Sequence, residues 1–179
     1  MPHLAPPLIQ AIDLCFSRNE DRIFGPLSFH IHGGEALLIK GDNGSGKTTL
    51  LRVLAGLLSE ESGQVLLNGN SFESHVFCQH AAYLGHTHGH KAELTVMQNL
   101  RCSAQLHGNT GNTSLEGLLA ECGLAGYEDT PAGKLSAGQN KRLSLARLTT
   151  QGSVLWLMDE PYANLDLAGI AWVNALIQT

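Results

Sequence analysis

Residues 41–48 read Gly-Asp-Asn-Gly-Ser-Gly-Lys-Thr, and this stretch fits the pattern G-x-x-x-x-G-K-[ST] at every position. In this pattern the glycines allow main-chain N–H groups to turn inward around a triphosphate. Lys47 is expected to reach the β- and γ-phosphates, and the hydroxyl of Thr48 is expected to bind Mg²⁺. The stretch therefore predicts a phosphate-binding loop, called the P-loop below.

The segments on either side favour this interpretation over a glycine-rich turn that fits the pattern by accident. Residues 35–40 form an apolar run typical of a strand, and residues 49–54 carry leucine and valine at helical spacing. This order places the phosphates at a helix N-terminus, where free N–H groups and the helix dipole favour anions. The predicted nucleotide-binding residues are Gly41, Asp42, Asn43, Gly44, Ser45, Gly46, Lys47, Thr48 and Thr49.

Length and composition predict a single globular domain and exclude several functions. The chain has 179 residues, 43% of them hydrophobic and 15% charged, with a formal net charge of -5. An acidic chain with scattered basic residues is a poor nucleic-acid binder. Its apolar runs are far shorter than the ~20 residues that span a bilayer, and no secretion signal opens the chain. We expect a cytosolic protein with no transmembrane segment, whose four cysteines are reduced thiols: Cys15, Cys78, Cys102 and Cys122.

The order of predicted elements indicates an α/β fold with a helical subdomain at about residues 87–150. Apolar and polar residues alternate at 27–31, as in a half-buried antiparallel strand, and Asn68-Gly69 is a hairpin-turn dipeptide. Thr95 and Ser114 are candidate helix N-caps. Strands are predicted at residues 8–12, 23–24, 27–31, 63–67 and 154–158, and helices at 96–101, 115–122, 141–150 and 167–178.

Residues 135–139 read Leu-Ser-Ala-Gly-Gln and resemble the LSGGQ signature of ABC-type ATPases, with Ala137 in place of the first glycine. Because Ser136 and Gly138 precede a predicted helix, their hydroxyl and N–H groups would meet a γ-phosphate at its positive end. An ordinary helix start at Ser136 is the alternative. The resemblance assigns the signature role to Leu135, Ser136, Ala137, Gly138 and Gln139.

Residues 154–161 resemble the Walker B strand with the catalytic glutamate of the same family. A buried strand of a parallel sheet delivers such carboxylates at its C-terminal end. Asp159 would hold Mg²⁺, and Glu160 would act as the general base on the attacking water. A core strand that ends in two acids by chance is the alternative.

Asn164, Leu165 and Asp166 resemble the D-loop of the family, with a helix-capping turn as the alternative. The four motifs follow one another in the family's order over most of the chain. The resemblance implies an ABC-type fold with a P-loop core of mixed and parallel sheet, an antiparallel β subdomain and a helical subdomain. It also implies a head-to-tail homodimer, in which the P-loop of one copy and the signature of the other hold one ATP.

Departures from the common family pattern resemble the branch that serves cytochrome c maturation. His86 stands where most members carry the Q-loop glutamine, and the runs 84–95, 124–131 and 159–166 and Ala137 are similar to that branch. The resemblance implies integral membrane partners of the CcmB and CcmC type at the cytoplasmic face of a bacterial inner membrane. ATP would drive either export of haem or its release from a periplasmic chaperone; another ABC importer or exporter is the alternative.

Two further features leave alternatives open. His86, His88 and His90, with His75 and His80 nearby, suggest a metal or haem-iron site, but no cysteine or carboxylate stands at ligand spacing, so a polar Q-loop is favoured. The aromatic position that stacks on adenine in the family falls near Phe16 and Arg18, and either side chain could cover the ring.

The family continues after the D-loop with a helix, a further core strand and a switch histidine, whereas this chain is expected to stop inside that helix. Apolar surface on Leu167, Ile170, Val173 and Leu176 would then be partly uncovered. We expect the purified 179-residue chain, on its own, to bind ATP through the P-loop and to hydrolyse it poorly, with a non-hydrolysing nucleotide-binding module as one alternative. A soluble ABC ATPase acting on DNA or ribosomes is the other, disfavoured by the acidic single cassette.

Overall fold

The computed structural model describes residues 8–71, 80–107 and 114–178, which form two compact units, Met1–Ala81 and Ala82–Thr179. His75 and Cys78 lie outside the described residues.

The first unit is built on an antiparallel sheet with the strand order β2-β1-β3-β4. A two-residue turn joins β1 to β2, and Asn68-Gly69 joins β3 to β4 with positive φ at both residues, as two-residue hairpins require. Helix α1 buries Leu50, Leu51, Val53 and Leu54. The elements are β1 (Ile9–Arg18), β2 (Asp21–Ile31), α1 (Lys47–Leu54), β3 (Ser62–Leu67) and β4 (Asn70–Ser71).

Two predictions for this unit are corrected by the structure. The strands predicted at 23–24 and 27–31 are one continuous strand, because both runs pair with the long strand β1. The strand predicted at 35–40 is wrong: this run has no strand pairing in the described structure, and Leu37 and Leu38 are 47% and 72% exposed. An apolar run becomes a strand only when a neighbouring strand supplies its ladder of hydrogen bonds.

The second unit combines a two-stranded sheet with the helical subdomain. Thr95 and Ser114 cap their helices as predicted, and Thr95 forms a capping box with Gln98. The elements are β5 (Ala81–Leu84), α2 (Val96–Leu106), α3 (Leu115–Glu121), a short 3₁₀ helix (Ala132–Lys134), α4 (Ala137–Thr149), β6 (Leu155–Met158) and α5 (Leu167–Gln178).

Helix α4 lies between two apolar clusters. Leu143 and Ala146 pack with α2 and α3, while Leu145 and Leu148 pack with β5, β6 and α5. Helix α4 begins at Ala137, four residues before its predicted start, because the capping residue Ser136 sets the beginning and the apolar pattern shows only later.

Val173 corrects another prediction, because it is 1% exposed in the second of these clusters rather than partly uncovered. Leu167, at the start of α5, is 86% exposed. Of the cysteines described, Cys15 and Cys122 are buried and Cys102 is exposed, and all three are free thiols.

Candidate functional site

The P-loop takes its shape from main-chain conformations that favour glycine. Gly44 and Gly46 have φ of 83° and 90°, and Gly46 is the residue from which α1 starts. The N–H of Ser45 donates to the Asp42 carbonyl at 3.1 Å, which closes the turn. Successive N–H groups in such a turn, followed by a helix N-terminus, form an anion-binding concavity.

Close contacts explain two of the glycines. A Cβ at Gly46 would lie 2.9 Å from the Ile23 Cγ2 atom and 3.2 Å from its carbonyl oxygen. A Cβ at Gly41 would lie 2.5 Å from the Ser45 hydroxyl. At Gly46 the loop therefore packs closely against strand β2.

Lys47 places its ammonium group over the loop. The Nζ atom donates to the carbonyl oxygens of Gly41 and Asp42, both at 2.7 Å. Thr48 and Thr49 follow in the first turn of α1 and are half-buried. A cation held above inward-turned N–H groups suits a polyphosphate.

The signature residues form the N-terminus of α4. The Ser136 hydroxyl accepts from the Gln139 N–H at 3.3 Å, and the Gln139 side chain accepts from the Ser136 N–H at 2.9 Å, which is a capping box. Leu135 is buried, and Ala137 and Gly138 lie in the first turn. A Cβ at Gly138 would lie 2.8 Å from the Asn164 carbonyl oxygen, so the signature touches the predicted D-loop within one copy.

The predicted D-loop also caps a helix. Asp166 accepts from the Gly169 N–H at 2.8 Å at the start of α5 and pairs with Arg142 of α4. The Gly169 bond, aided by Arg142, holds the pKa of Asp166 below its usual value. Asn164 is in the left-handed region with φ of 63°, and Leu165 packs against the second apolar cluster. The capping alternative is thus realised, while a role across a dimer interface stays a prediction.

The acidic pair follows β6 as predicted. Asp159 is 4% exposed, and its N–H donates to the Leu84 carbonyl at 2.7 Å. His86, at the Q-loop position, places its Nε2 atom 3.8 Å from the Asp159 Oδ2 atom. Glu160 is exposed and has φ of 47°, a conformation that is costly for a residue with a side chain.

A buried lysine beside this pair was not predicted. Lys141 is 5% exposed, and its Nζ atom donates to the Asp159 carbonyl at 3.4 Å. Burial lowers its pKa, against the opposing attraction of Asp159 and Glu160. Helical spacing in the sequence could have indicated this burial. Lys141 stands four residues before Leu145 and seven before Leu148, which lie on the face of α4 that packs on β6.

The alternating histidines lie in the loop after β5. The rings of His88 and His90 stack with centroids 5.3 Å apart, His88 Nδ1 lies 3.2 Å from the Ser144 hydroxyl, and Arg147 donates to the His88 carbonyl at 3.1 Å. Burial, then Lys141, lowers the pKa of His88. Within the described ranges no three His, Cys, Asp or Glu residues are grouped as a metal site.

The described structure leaves the adenine contact open between its two candidates. The ring of Phe16 stacks on Phe24, with centroids 6.0 Å apart, and Arg18 is exposed at the end of β1. The P-loop lies in the first unit; the signature, the acidic pair and the D-loop lie in the second.

Comparisons with known proteins place these motifs in a family. Residues 24–163 match the model of the ABC transporter family. The chain is 56% identical over 175 residues, 98% of its length and 82% of the relative's, to the cytochrome c biogenesis ATP-binding export protein CcmA of Xanthomonas axonopodis pv. citri. It is 47% identical to the CcmA protein of Xylella fastidiosa strain Temecula1, covering all of this chain and 84% of that one.

The fold agrees with this assignment. The structure of an ATP-binding subunit of an ABC transporter aligns with a TM-score of 0.84 at 22% identity, covering 96% of this chain and 73% of the other. No helix within residues 8–71, 80–107 and 114–178 is long and apolar enough to cross a membrane. The chain therefore belongs to the ABC transporter family of ATP-binding proteins.

Proposed function

We propose that the chain is the ATP-binding and ATP-hydrolysing subunit of an ABC-type complex for haem handling or export in c-type cytochrome biogenesis. The observation that carries this proposal is the 56% identity to a CcmA protein over 98% of the chain. The 175 aligned residues include the helical subdomain and the His86 loop. ATP is the expected substrate.

In this proposal the residues of the P-loop bind the nucleotide. The inward-turned N–H groups of residues 41–49 surround the phosphates, and Lys47 exchanges its bonds to the Gly41 and Asp42 carbonyls for bonds to phosphate oxygens. The ammonium group then neutralises charge that builds up as the γ-phosphoryl group leaves. Positioning and charge neutralisation supply most of the rate enhancement in this chemistry.

The Asp159 carboxylate and the Thr48 hydroxyl are the proposed ligands of Mg²⁺, which prefers hard oxygen ligands. The buried carboxylate of Asp159, with His86 3.8 Å away, is a strong candidate ligand. When bound at these residues, Mg²⁺ would supply positive charge that offsets the charge developing on the phosphates. Glu160 would orient the attacking water and accept its proton.

The signature is proposed to act in trans within a head-to-tail homodimer. The Ser136 and Gln139 side chains cap the first turn of α4, in which Gly138 carries no side chain. These groups at the positive end of a 13-residue helix would bind the γ-phosphate held by the other copy. The contact of Gly138 with Asn164 would bring the D-loop to the same interface.

Membrane subunits of the CcmB and CcmC type are the proposed partners, at the cytoplasmic face of a bacterial inner membrane. In this arrangement the chain is a peripheral subunit of a single ABC domain. His86 and the loop after it would face the membrane partners.

A complementation experiment tests this proposal. A bacterial strain lacking its own CcmA gene receives the wild-type chain, Glu160→Gln, or the control Glu121→Gln, which alters an exposed carboxylate on α3. We expect haem staining to show c-type cytochromes with the wild type and the control and none with Glu160→Gln. Full cytochrome formation with Glu160→Gln, or failure of the wild-type chain to co-purify with CcmB, would contradict the proposal.

A further inference from the structure

Lys141 joins the signature helix to the strand that carries the acidic pair. It follows the signature by two residues, and its side chain points along the face of α4 whose Leu145 and Leu148 pack with β6. A lysine that is 5% exposed has given up most of its hydration, so a buried polar partner is required. Its Nζ atom meets the Asp159 carbonyl oxygen at 3.4 Å.

The Asp159 main chain is thereby held from two sides. Its N–H donates to the Leu84 carbonyl of β5, and its carbonyl accepts from Lys141 of α4. The carbonyl belongs to the peptide unit between residues 159 and 160, so its orientation sets the ψ angle of Asp159 and the φ angle of Glu160. That φ angle is 47°, in the left-handed region, where a non-glycine residue persists only when its surroundings enforce the conformation.

We propose that Lys141 is a positioning residue for ATP hydrolysis: it fixes the 159–160 peptide so that the carboxylate of Glu160 leaves the strand end in the direction of the attacking water. This inference rests on the proposed role of Glu160 as general base. The bond from Lys141 to the Asp159 carbonyl also joins the signature helix α4 to the residue before the proposed general base of the same copy.

A purely structural role makes a different prediction. If Lys141 only filled space in the second unit, an apolar side chain of similar length would preserve activity. Replacing a buried charged group by a well-packed apolar one is often neutral for stability. A positioning role requires a donor at the end of the side chain. Methionine removes that donor with little change in length, and arginine retains it, so the pair Lys141→Met and Lys141→Arg separates the two roles.

The test uses the complex with its membrane subunits in lipid vesicles and measures ATP hydrolysis and ATP affinity. We expect Lys141→Met to lower kcat roughly tenfold or more, since small misplacements of a catalytic group cost that much, while the Kd for ATP changes by less than about twofold. On a logarithmic scale, the kcat of Lys141→Arg should lie at least about halfway from that of Lys141→Met to that of the wild type. The control Arg101→Met, at an exposed basic residue on α2 of the same unit, should match the wild type.

A second measurement separates this inference from the proposed function. In the Glu160→Gln background, adding Lys141→Met should lower the residual rate by less than about twofold, because the group that Lys141 positions is already gone. Two results would overturn the positioning role. Either Lys141→Met lowers the hydrolysis rate by the same factor with and without Glu160→Gln, or the kcat of Lys141→Met equals that of the wild type. If Lys141→Met lacks a cooperative unfolding transition, Lys141→Leu, which also lacks a donor, takes its place with the same expected loss. Failure of the proposed function would show instead as equal rates for the wild type and Glu160→Gln.

Discussion

The P-loop and the strand end at Asp159 and Glu160 are held in place by different kinds of contact. The P-loop is shaped by neighbours in its own sequence: left-handed glycines, a turn from Ser45 to Asp42, and Lys47 bonded to carbonyls five and six residues away. The strand end depends on Leu84 and Lys141, which are distant in sequence. A local pattern therefore specifies the first region, while tertiary packing specifies the second.

Removing the Lys47 ammonium should produce the largest effect and leave the local shape intact. Its partners in the structure are exposed main-chain carbonyls that water can satisfy, so we expect Lys47→Ala to unfold at nearly the wild-type temperature. ATP affinity should fall about 100-fold, because charge-assisted bonds to phosphate are worth about 1.5–3 kcal/mol each. A fluorescent ATP analogue titration and a thermal melt measure the two quantities. Unchanged ATP binding would remove the P-loop from the proposed site.

Two glycine substitutions test whether the P-loop is truly a local structure. Gly44 and Gly46 have similar φ angles, but a Cβ at Gly44 meets nothing within 4 Å, whereas one at Gly46 meets Ile23 at 2.9 Å. We expect Gly44→Ala to cost about 1 kcal/mol of unfolding free energy for its left-handed conformation alone. Gly46→Ala should cost about 2 kcal/mol or more, since overpacking is added.

Urea unfolding without nucleotide provides the measurement for both glycine variants. Because no ATP is present, contact of the new methyl group with a phosphate plays no part. Equal losses for the two variants would mean that strand β2 does not support the loop. The conformation of the P-loop would then depend only on residues near it in sequence, whereas the strand end at Asp159 and Glu160 depends on distant residues.

The same distinction explains which features could be predicted from the sequence. The P-loop, the caps at Thr95 and Ser114, and the Asn68-Gly69 turn are specified by residues within a few positions of one another, and the described structure has the expected caps and turn. The strand predicted at 35–40 failed because β propensity cannot supply a pairing partner. Lys141 was missed because its partner is 18 residues away and the contact follows from how α4 packs on β6.

Matched helix caps separate the structural and functional roles of the signature serine. Thr95 and Ser136 each form a capping box, with Gln98 and Gln139. Replacing either by alanine should therefore cost about 1 kcal/mol of unfolding free energy. Only Ser136→Ala should also lower ATP turnover in the assembled complex, because only this hydroxyl is proposed to meet a γ-phosphate. Equal ATP turnover for Thr95→Ala and Ser136→Ala would mean that Ser136 only begins a helix and has no role in ATP hydrolysis.

The smallest expected effect is a pH dependence of stability at the stacked histidines. Burial lowers the pKa of both rings; Lys141 adds to this at His88, and at His90 the effects of His88 and Arg147 exceed the raising effect of Asn140. Groups whose folded pKa is depressed bind protons more readily when unfolded, so the stability they contribute is present above the unfolded value of about 6.5 and is lost as pH falls.

Thermal melts between about pH 7.5 and about pH 5.5 measure this effect, which falls in the range where histidine titrates. The melting temperature should drop on acidification, and the drop should be smaller in a variant carrying His88→Asn and His90→Asn. His30→Asn, at an exposed position on β2, serves as the control and should behave as the wild type. An equal drop in all three proteins would mean that the His88–His90 pair stays solvated, and that the loop after β5 is held by Arg147 and the Ser144 hydroxyl through the His88 carbonyl alone.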